Sequence, residues 1–280
     1  MARDEGRVTV EQDVVYGTAG VGGRELKCDV YTPPGETPDG GRPAVLLVHG
    51  GSWRQGDRTQ LRGYGILLGR SGYVCVAPEY RLLGEAPWPA AVEDVKAAIR
   101  WVRSSASSLG IDPGRICIEG NSAGAHLALL AAGTPDLPAL EGSGGNEGVS
   151  SAVAAVAAIY APTLFYAEGT ERTSGALPFM ALVEAGGDAD AAALASPAAH
   201  VSPSFPPTLL IHGTTDTTVP VSASMRMYTE LVAAGVPVEM HLYAEQPHAF
   251  DAQPPFGRQV AAEMLLFLDR YVPARNPVDA

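Results

Sequence analysis

Short apolar runs recur along the chain, and several, such as PAVLLV at residues 43–48, are hydrophobic throughout. Such runs are typical of strands that are covered on both faces, as in a parallel sheet. They predict strands over residues 43–48, 73–77, 115–119, 153–160, 208–212 and 238–243. Near the start, residues 8–16 alternate like a strand, and residues 26–31 return after a glycine-rich turn, which predicts an antiparallel hairpin at a sheet edge.

Helical periodicity falls between these strands. Over residues 89–109, apolar side chains recur at spacings of three and four, at Val92, Val95, Ile99 and Val102. Charged side chains fill the opposite face. This pattern predicts one helix that ends at Gly110. Further helices are predicted after residue 124 and over residues 222–234 and 257–271.

The alternation of strands and helices predicts an α/β fold, with a mostly parallel, twisted sheet and helices on both faces. Two segments interrupt this rhythm. Residues 133–150 are glycine-rich and predict an exposed loop. Residues 161–206 form a long insertion that predicts a small cap. We therefore expect residues 1–280 to form a single domain with a cap insertion at about 161–206.

Composition and charge narrow the class of protein. Apolar residues make up 46% of the chain and charged residues 18%, which favours a folded protein over a disordered one. The formal charge of −12 disfavours a nucleic-acid or anionic-membrane surface, which needs clustered basic residues. The three cysteines, Cys28, Cys75 and Cys117, lack metal-ligand spacing and are expected to be buried thiols. Without an apolar leader, the expected location is cytoplasmic.

The sequence Gly-Asn-Ser-Ala-Gly at residues 120–124 lies between a predicted strand and a helical run. A serine on such a sharp turn needs small residues two positions before and after it, because the backbone passes close to itself. The turn exposes the hydroxyl at the edge of the sheet. This context predicts that Ser122 is a nucleophile.

A serine hydroxyl needs a general base, and the base needs an orienting acid. The chain order Ser, Asp, His is expected for a serine on this kind of turn. Asp216 and His248 fit, since each lies in a loop directly after a predicted strand. Open α/β sheets place their sites at the carboxyl ends of strands.

Other histidines and acids are weaker candidates. His241 is expected to pack within its strand, His212 to form a local hydrogen bond and His126 to be structural. His200, in the insertion, is expected to line a pocket. Asp251 and Glu245 flank His248 and are rival acids.

The segment His-Gly-Gly-Ser-Trp at residues 49–53 follows the strand at 43–48. Backbone N–H groups are the usual stabilisers of the oxyanion that develops during acyl transfer, and glycines let them approach the substrate. The predicted donors are the N–H groups of Gly51, Ser52 and Ala123. His49 is expected to brace the loop.

Taken in order along the chain, these landmarks resemble the α/β-hydrolase fold. They are similar to the hormone-sensitive-lipase-like and acetyl-xylan/feruloyl-esterase-like carboxylesterases in DVYTP (29–33), HGGSW (49–53), EYRL (79–82), GNSAGAHLAL (120–129), SPAAHVSP (196–203), HGTTDTTVP (212–220) and PHAF (247–250). The resemblance implies Ser122, Asp216 and His248 as the triad, and Trp53 and Asn121 are expected to contact substrate. The HGGG of lipase-like members is HGGS here.

We therefore expect a serine carboxylesterase that acts on small esters, with short acyl groups because the cap is small. An arylformamidase is the first alternative, since SAGAHLA and HGG-x-W also resemble kynurenine formamidase. A catalytically inactive ligand-binding homologue is the second. No nucleotide-binding or metal-binding spacing is present, so no cofactor and no metal are expected. Neither a nucleic acid nor a membrane is expected as a partner, and a homodimer is one candidate for the oligomeric state.

Overall fold

A computed structural model describes residues 6–20, 22–165 and 189–274 of the chain. Within these residues, eight strands form one mixed sheet. In chain order they are β1 Thr9–Thr18, β2 Glu25–Thr32, β3 Arg42–Val48, β4 Val74–Pro78, β5 Ile111–Asn121, β6 Ala155–Ile159, β7 Thr208–Gly213 and β8 Val238–Tyr243. They lie side by side in the order β1-β2-β4-β3-β5-β6-β7-β8.

The pairing directions confirm the predicted edge hairpin and the mostly parallel sheet. Strands β1 and β2 are antiparallel to each other, and β2 is antiparallel to β4. From β4 to β8 every neighbouring pair is parallel. The carboxyl ends of β3, β5, β7 and β8 therefore meet at one edge of the sheet, and the residues that follow these strands come together there.

Helices lie between the strands and after the last one. They are α1 Arg62–Arg70, α2 Ala90–Ser104, α3 Ala106–Leu109, α4 Ala123–Gly133, α5 Pro138–Glu141, α6 Ala189–Leu194, α7 Ser222–Ala233 and α8 Pro254–Tyr271, with 3₁₀ turns at Pro197–His200 and Phe250–Ala252. Among the described helices, none is long and apolar enough to cross a membrane.

Side chains of the parallel strands point alternately into two cores. In β3, Leu46 and Val48 pack in the core that α2 and α4 cover. Val45 and Leu47 point the other way, into the core that α1 and α8 cover. Helices therefore cover both faces of the sheet, as the apolar strand patterns predict.

Helix α1 is absent from the sequence predictions. Its sequence, RGYGILLGR, contains three glycines, which lower intrinsic helix propensity. Tertiary packing accounts for the helix: a Cβ at Gly65 would lie 2.9 Å from the ring of Tyr31, so the helix backbone rests directly on β2. This close approach cannot be inferred from periodicity.

Two other predictions are wrong. The helix predicted over residues 89–109 is interrupted at Ser105, which has φ −92° and ψ 12° and separates α2 from the short α3. The predicted exposed loop at 133–150 contains α5 and packs against α2. There the Glu141 carboxylate accepts hydrogen bonds from the buried Lys96 Nζ at 2.7 Å and from Arg100 Nη1 at 2.6 Å.

The cap predicted over residues 161–206 is described only at its two ends. Residues 166–188 lie outside the described part of the chain. Helix α6 and the 3₁₀ turn Pro197–His200 belong to its second end. The single-domain organisation with a cap stays a prediction.

Candidate active site

Ser122 lies at the turn between β5 and α4. Its φ of 54° and ψ of −116° form a strained backbone conformation that non-glycine residues rarely adopt. The backbone N–H of Ser122 donates to the Ile159 carbonyl at 2.9 Å, which ties the turn to the end of β6. Strain of this kind is held in place by the surrounding packing, and it fixes the direction of the serine side chain.

The two glycines that flank this serine are required by close backbone contacts. A Cβ at Gly120 would lie 2.3 Å from the Gly124 carbonyl oxygen. A Cβ at Gly124 would lie 1.9 Å from the carbonyl oxygen of Val48, at the end of β3. Both distances are far shorter than van der Waals contact, so the turn is compatible only with glycine at these positions.

Ser122, His248 and Asp216 form a continuous chain of hydrogen bonds. Ser122 Oγ lies 2.9 Å from His248 Nε2, and His248 Nδ1 lies 2.6 Å from Asp216 Oδ2. Because the ionised carboxylate only accepts, Nδ1 carries the proton and Nε2 accepts from the serine hydroxyl. The structure therefore brings together the three residues that the sequence motifs single out.

The Asp216 carboxylate is held from several sides in the turn after β7. Its Oδ1 accepts from the backbone N–H groups of Thr218 at 2.8 Å and Val219 at 2.9 Å. Burial would raise the pKa of Asp216, but hydrogen bonds from His212, His248 and the Val219 N–H outweigh it and lower the pKa well below its usual range. The carboxylate is therefore ionised at neutral pH and its orientation is fixed.

His212 is a member of this site that sequence reasoning missed. Its Nε2 lies 3.3 Å from Asp216 Oδ2 and 2.9 Å from the Val219 carbonyl oxygen, and its Nδ1 lies 2.7 Å from Ser224 Oγ. The local hydrogen bonding expected of His212 is present, but its contact with Asp216 was not predicted. The only signal in the sequence is the HGTTD spacing, which places the two side chains at the ends of one turn.

The loop after β3 has the form expected of an oxyanion-binding loop. Gly51 and Ser52 have φ values of 122° and 53°, and both residues line the same cavity as Ser122. Within the described chain, nothing accepts a hydrogen bond from either N–H. Ala123 opens α4, so its N–H has no partner inside the helix. His49 braces the loop through Nδ1, 2.7 Å from the Gly50 carbonyl oxygen, and its ring stacks on Tyr80.

A cavity of about 680 Å³ opens onto the serine and the histidine. Helix α1 contributes Tyr64 and Leu67 to its wall, and α8 contributes Pro254, Gly257 and Arg258. This is enough room for a small organic substrate. Because α1 is absent from the sequence predictions, its side of the wall is absent from them too.

The two predicted substrate contacts differ in position. Asn121 lines the cavity. Trp53 is 2% exposed, and its indole N–H lies 3.2 Å from His126 Nδ1 in the core, outside the cavity lining. His126 is itself fully buried, and burial lowers its pKa to about 4, so it is a neutral packing residue. His200 bonds to the Leu194 carbonyl and does not line the cavity.

Neither rival acid bonds to His248. Asp251 accepts hydrogen bonds from Tyr64, Asn121 and Tyr160 instead. Glu245 is exposed on the loop. His241 lies on β8, with Nδ1 3.2 Å from Glu263.

The model of the BD-FAE family matches residues 28–231. The chain belongs to the BD-FAE family. It is 35% identical over 260 residues to esterase LipQ of Mycobacterium tuberculosis, covering 90% of this chain and 60% of LipQ. It is 33% identical over 268 residues to the probable carboxylic ester hydrolase LipM of the same organism, covering 93% of this chain and 60% of LipM. The chain thus spans about 60% of the length of these curated relatives.

Among solved structures, the chain is similar to esterase 2 of Thermogutta terrifontis. The apo form gives a TM-score of 0.82 at 26% identity and covers 99% of this chain and 98% of that one. That esterase has also been solved phosphorylated by paraoxon and with butyrate bound. The fold is therefore the α/β-hydrolase fold, and the resemblance to its esterases drawn from the motifs is confirmed.

Proposed function

We propose that this BD-FAE family member is a serine hydrolase that cleaves carboxylic esters through an acyl-enzyme on Ser122. One observation carries the proposal. The Ser122 hydroxyl, the His248 imidazole and the Asp216 carboxylate are joined by hydrogen bonds of 2.9 and 2.6 Å, and the serine and the histidine face an open cavity. This arrangement makes a neutral serine nucleophilic at neutral pH.

In the first half of the reaction, His248 Nε2 takes the hydroxyl proton as Ser122 Oγ attacks the ester carbonyl carbon. The proton then passes from His248 to the leaving alkoxide, and the alcohol departs. Water attacks the acyl-enzyme with His248 again as the base, which releases the carboxylic acid and restores Ser122.

Two groups of contacts stabilise the charges of this pathway. The ionised Asp216 holds the histidine tautomer and stabilises the imidazolium that forms. The N–H groups of Gly51, Ser52 and Ala123 are the proposed donors to the oxyanion, because an N–H aimed at the developing charge is worth about 10²–10³ in kcat. Asn121 is a proposed substrate contact because it lines the cavity.

Short acyl groups are the proposed substrates. The butyrate-bound and paraoxon-phosphorylated forms of the Thermogutta esterase support both the acyl size and the nucleophilic chemistry, since this chain shares its fold over nearly its full length. Cleavage of a formamide needs the same triad, so the acyl and leaving groups have to be tested directly.

The experiment is a substrate panel with matched variants. We expect turnover of p-nitrophenyl acetate and butyrate, a lower rate with decanoate, and no comparable rate with N-formylkynurenine. Ser122→Ala should lose turnover, whereas Ser108→Ala, an exposed serine on α3, should keep it. Faster hydrolysis of N-formylkynurenine would make the protein an arylformamidase, and tight binding of esters without turnover would make it a ligand-binding homologue.

Two further proposals concern the domain organisation and the cellular location. We propose one domain over residues 1–280, with residues 161–206 as a cap. A cytoplasmic location is supported by the three cysteines, which are free, buried thiols.

A further inference from the structure

A second carboxylate lies beside the reacting groups without touching them. Asp251 follows His248 by three residues and lines the cavity. It accepts hydrogen bonds from three side chains on three separate parts of the fold. Tyr64 Oη lies 2.6 Å from Oδ2, Asn121 Nδ2 lies 2.7 Å from Oδ2, and Tyr160 Oη lies 2.5 Å from Oδ1. We call these four residues the Asp251 cluster.

We propose that Asp251 is a positioning residue, which sets the distance and orientation between the Ser122 hydroxyl and the His248 imidazole. The inference rests on the proposed esterase function. It assigns the carboxylate no direct part in proton transfer, because no bond joins it to His248 within the described chain.

The cluster reaches both reacting residues. On the serine side, Asn121 is the residue directly before Ser122, and its amide donates to Tyr160 Oη as well as to Asp251, at 2.7 Å in each case. On the histidine side, the ring of Tyr160 packs on the His248 ring with centroids 4.6 Å apart. Asp251 also lies on the same loop as His248. One carboxylate thus connects the serine turn, the histidine loop and the ring that supports the imidazole.

Asp251 suits this role because a carboxylate can accept all of these bonds at once. Three donors converge on two oxygens, and such charge-assisted bonds are stronger than neutral ones. Burial, followed by the charge of Asp251, raises the pKa of both Tyr64 and Tyr160, so both hydroxyls keep their protons and donate. Burial also raises the pKa of Glu119, with the charge of Asp251 adding to the effect, which disfavours a second negative charge near the cluster.

An amide cannot replace this carboxylate. If the amide oxygen of the Asp251→Asn variant takes the Oδ2 position, Tyr64 and Asn121 keep their acceptor, but Tyr160 faces an N–H₂ group. Tyr160 Oη already accepts from Asn121, so its own proton loses the acceptor it had. In the opposite orientation, Tyr64 and Asn121 lose theirs. Either way the cluster rearranges, and a displacement of about 1 Å in a reacting pair costs about 10²-fold in rate.

The test compares Asp251→Asn with Glu245→Gln, which removes an exposed carboxylate from the same loop and serves as the matched control. Each variant is titrated for active sites with a fluorophosphonate, so that unfolded molecules do not count. We then measure kcat and KM on p-nitrophenyl butyrate, the rate constant of phosphonylation, and the thermal midpoint.

We expect Asp251→Asn to lose about 10²-fold in kcat and in the phosphonylation rate constant, with little change in KM. Glu245→Gln should match the wild type. A loss confined to KM, a loss of thermal midpoint with unchanged kcat, or rates equal to those of Glu245→Gln would overturn the proposal. Wild-type protein that neither turns over the ester nor reacts with the phosphonate would instead overturn the proposed function.

If Asp251→Asn does not fold, two tyrosine variants decide the question. Tyr160→Phe removes a donor to Asp251 but keeps the ring on His248, and Tyr64→Phe removes the donor from α1, which carries no reacting group. We expect a clear loss of kcat in Tyr160→Phe and a smaller one in Tyr64→Phe. Equal kcat in Tyr160→Phe and the wild type would overturn the proposal.

Discussion

His212 Nε2 lies 3.3 Å from Asp216 Oδ2, across the turn that ends β7. The same nitrogen lies 2.9 Å from the Val219 carbonyl oxygen, so one imidazole joins the strand end, the acid and the loop that returns from it. Both side chains are fully buried. Asp216 is thus oriented by its own turn, and His248 is only one of its donors.

Replacement of His212 by leucine should destabilise the protein more than it slows the reaction. Asp216 and Ser224 each lose a buried hydrogen-bond partner, which lowers the free energy of unfolding by about 1–3 kcal/mol. Asp216 keeps its bonds from Thr218, Val219 and His248, so we expect kcat to fall by less than about tenfold, which corresponds to about 1.4 kcal/mol in the activation free energy.

Urea unfolding and steady-state kinetics check this prediction, with His241→Leu as the control histidine on β8. Unfolding free energies that are equal in the two variants would show that the His212 contact contributes nothing. A loss of kcat as large as that of Asp216→Asn would make His212 part of the reacting set.

Asp216→Asn should cost on the order of 10⁴ in kcat at neutral pH, because an asparagine favours the wrong histidine tautomer. Steady-state kinetics on p-nitrophenyl butyrate measures the loss. A mild effect, together with a crippling effect of Glu245→Gln, would mean that a different carboxylate orients His248.

The depressed pKa of Asp216 also predicts a pH dependence of stability. A carboxylate whose folded pKa lies below its unfolded value of about 3.9 contributes stability above that pH and loses it as the pH falls towards the folded value. We expect the wild type to exceed Asp216→Asn in unfolding free energy by a constant amount above about pH 5, and by progressively less below about pH 4. Urea titrations from about pH 3 to about pH 6 bracket this window and test the expectation. A difference independent of pH would contradict it.

The proposed oxyanion loop allows a paired test at neighbouring positions. A Cβ at Gly51 would lie 2.0 Å from the Gln55 carbonyl oxygen, and the residue has a φ of 122°, so Gly51→Val should distort the loop and lose at least about 10²–10³ in kcat. Ser52 has a φ of 53°, which glycine adopts without strain, so Ser52→Gly should keep most of its activity. Steady-state kinetics on one ester compares them, and equal, small effects would remove this loop from the oxyanion site.

The proximity of Ser122, Asp216 and His248 could be predicted because each of them carries a local signal in the sequence. The serine lies between a strand and a helix with glycines at the two positions where a Cβ would clash, and the other two residues follow apolar strands. The strands themselves are predicted because burial on both faces leaves an unbroken apolar run. Their ends differ from the predictions by a few residues, most at β5, which begins at Ile111 before a Pro-Gly pair.

The contacts between distant residues could not be predicted in this way. The Asp251 cluster joins positions 64, 121, 160 and 251, and no periodic pattern relates them. Trp53 directly follows the proposed oxyanion donors Gly51 and Ser52 in sequence, but its φ of 57° belongs to a turn that leaves its side chain in the core. Helix α1 lies directly on β2 where Gly65 approaches Tyr31, and these two residues are far apart in the sequence.

The role proposed for Ser122 is tested most directly by peptide mapping with mass spectrometry after reaction with a fluorophosphonate. We expect one adduct per chain, on Ser122, in the wild type and in Ser108→Ala, and none in Ser122→Ala. We also expect Ser122→Ala to lose ester turnover by a factor on the order of 10⁶ while its thermal unfolding is unchanged. An adduct on any other serine, or ester turnover by Ser122→Ala at a rate near that of the wild type, would show that Ser122 is not the nucleophile.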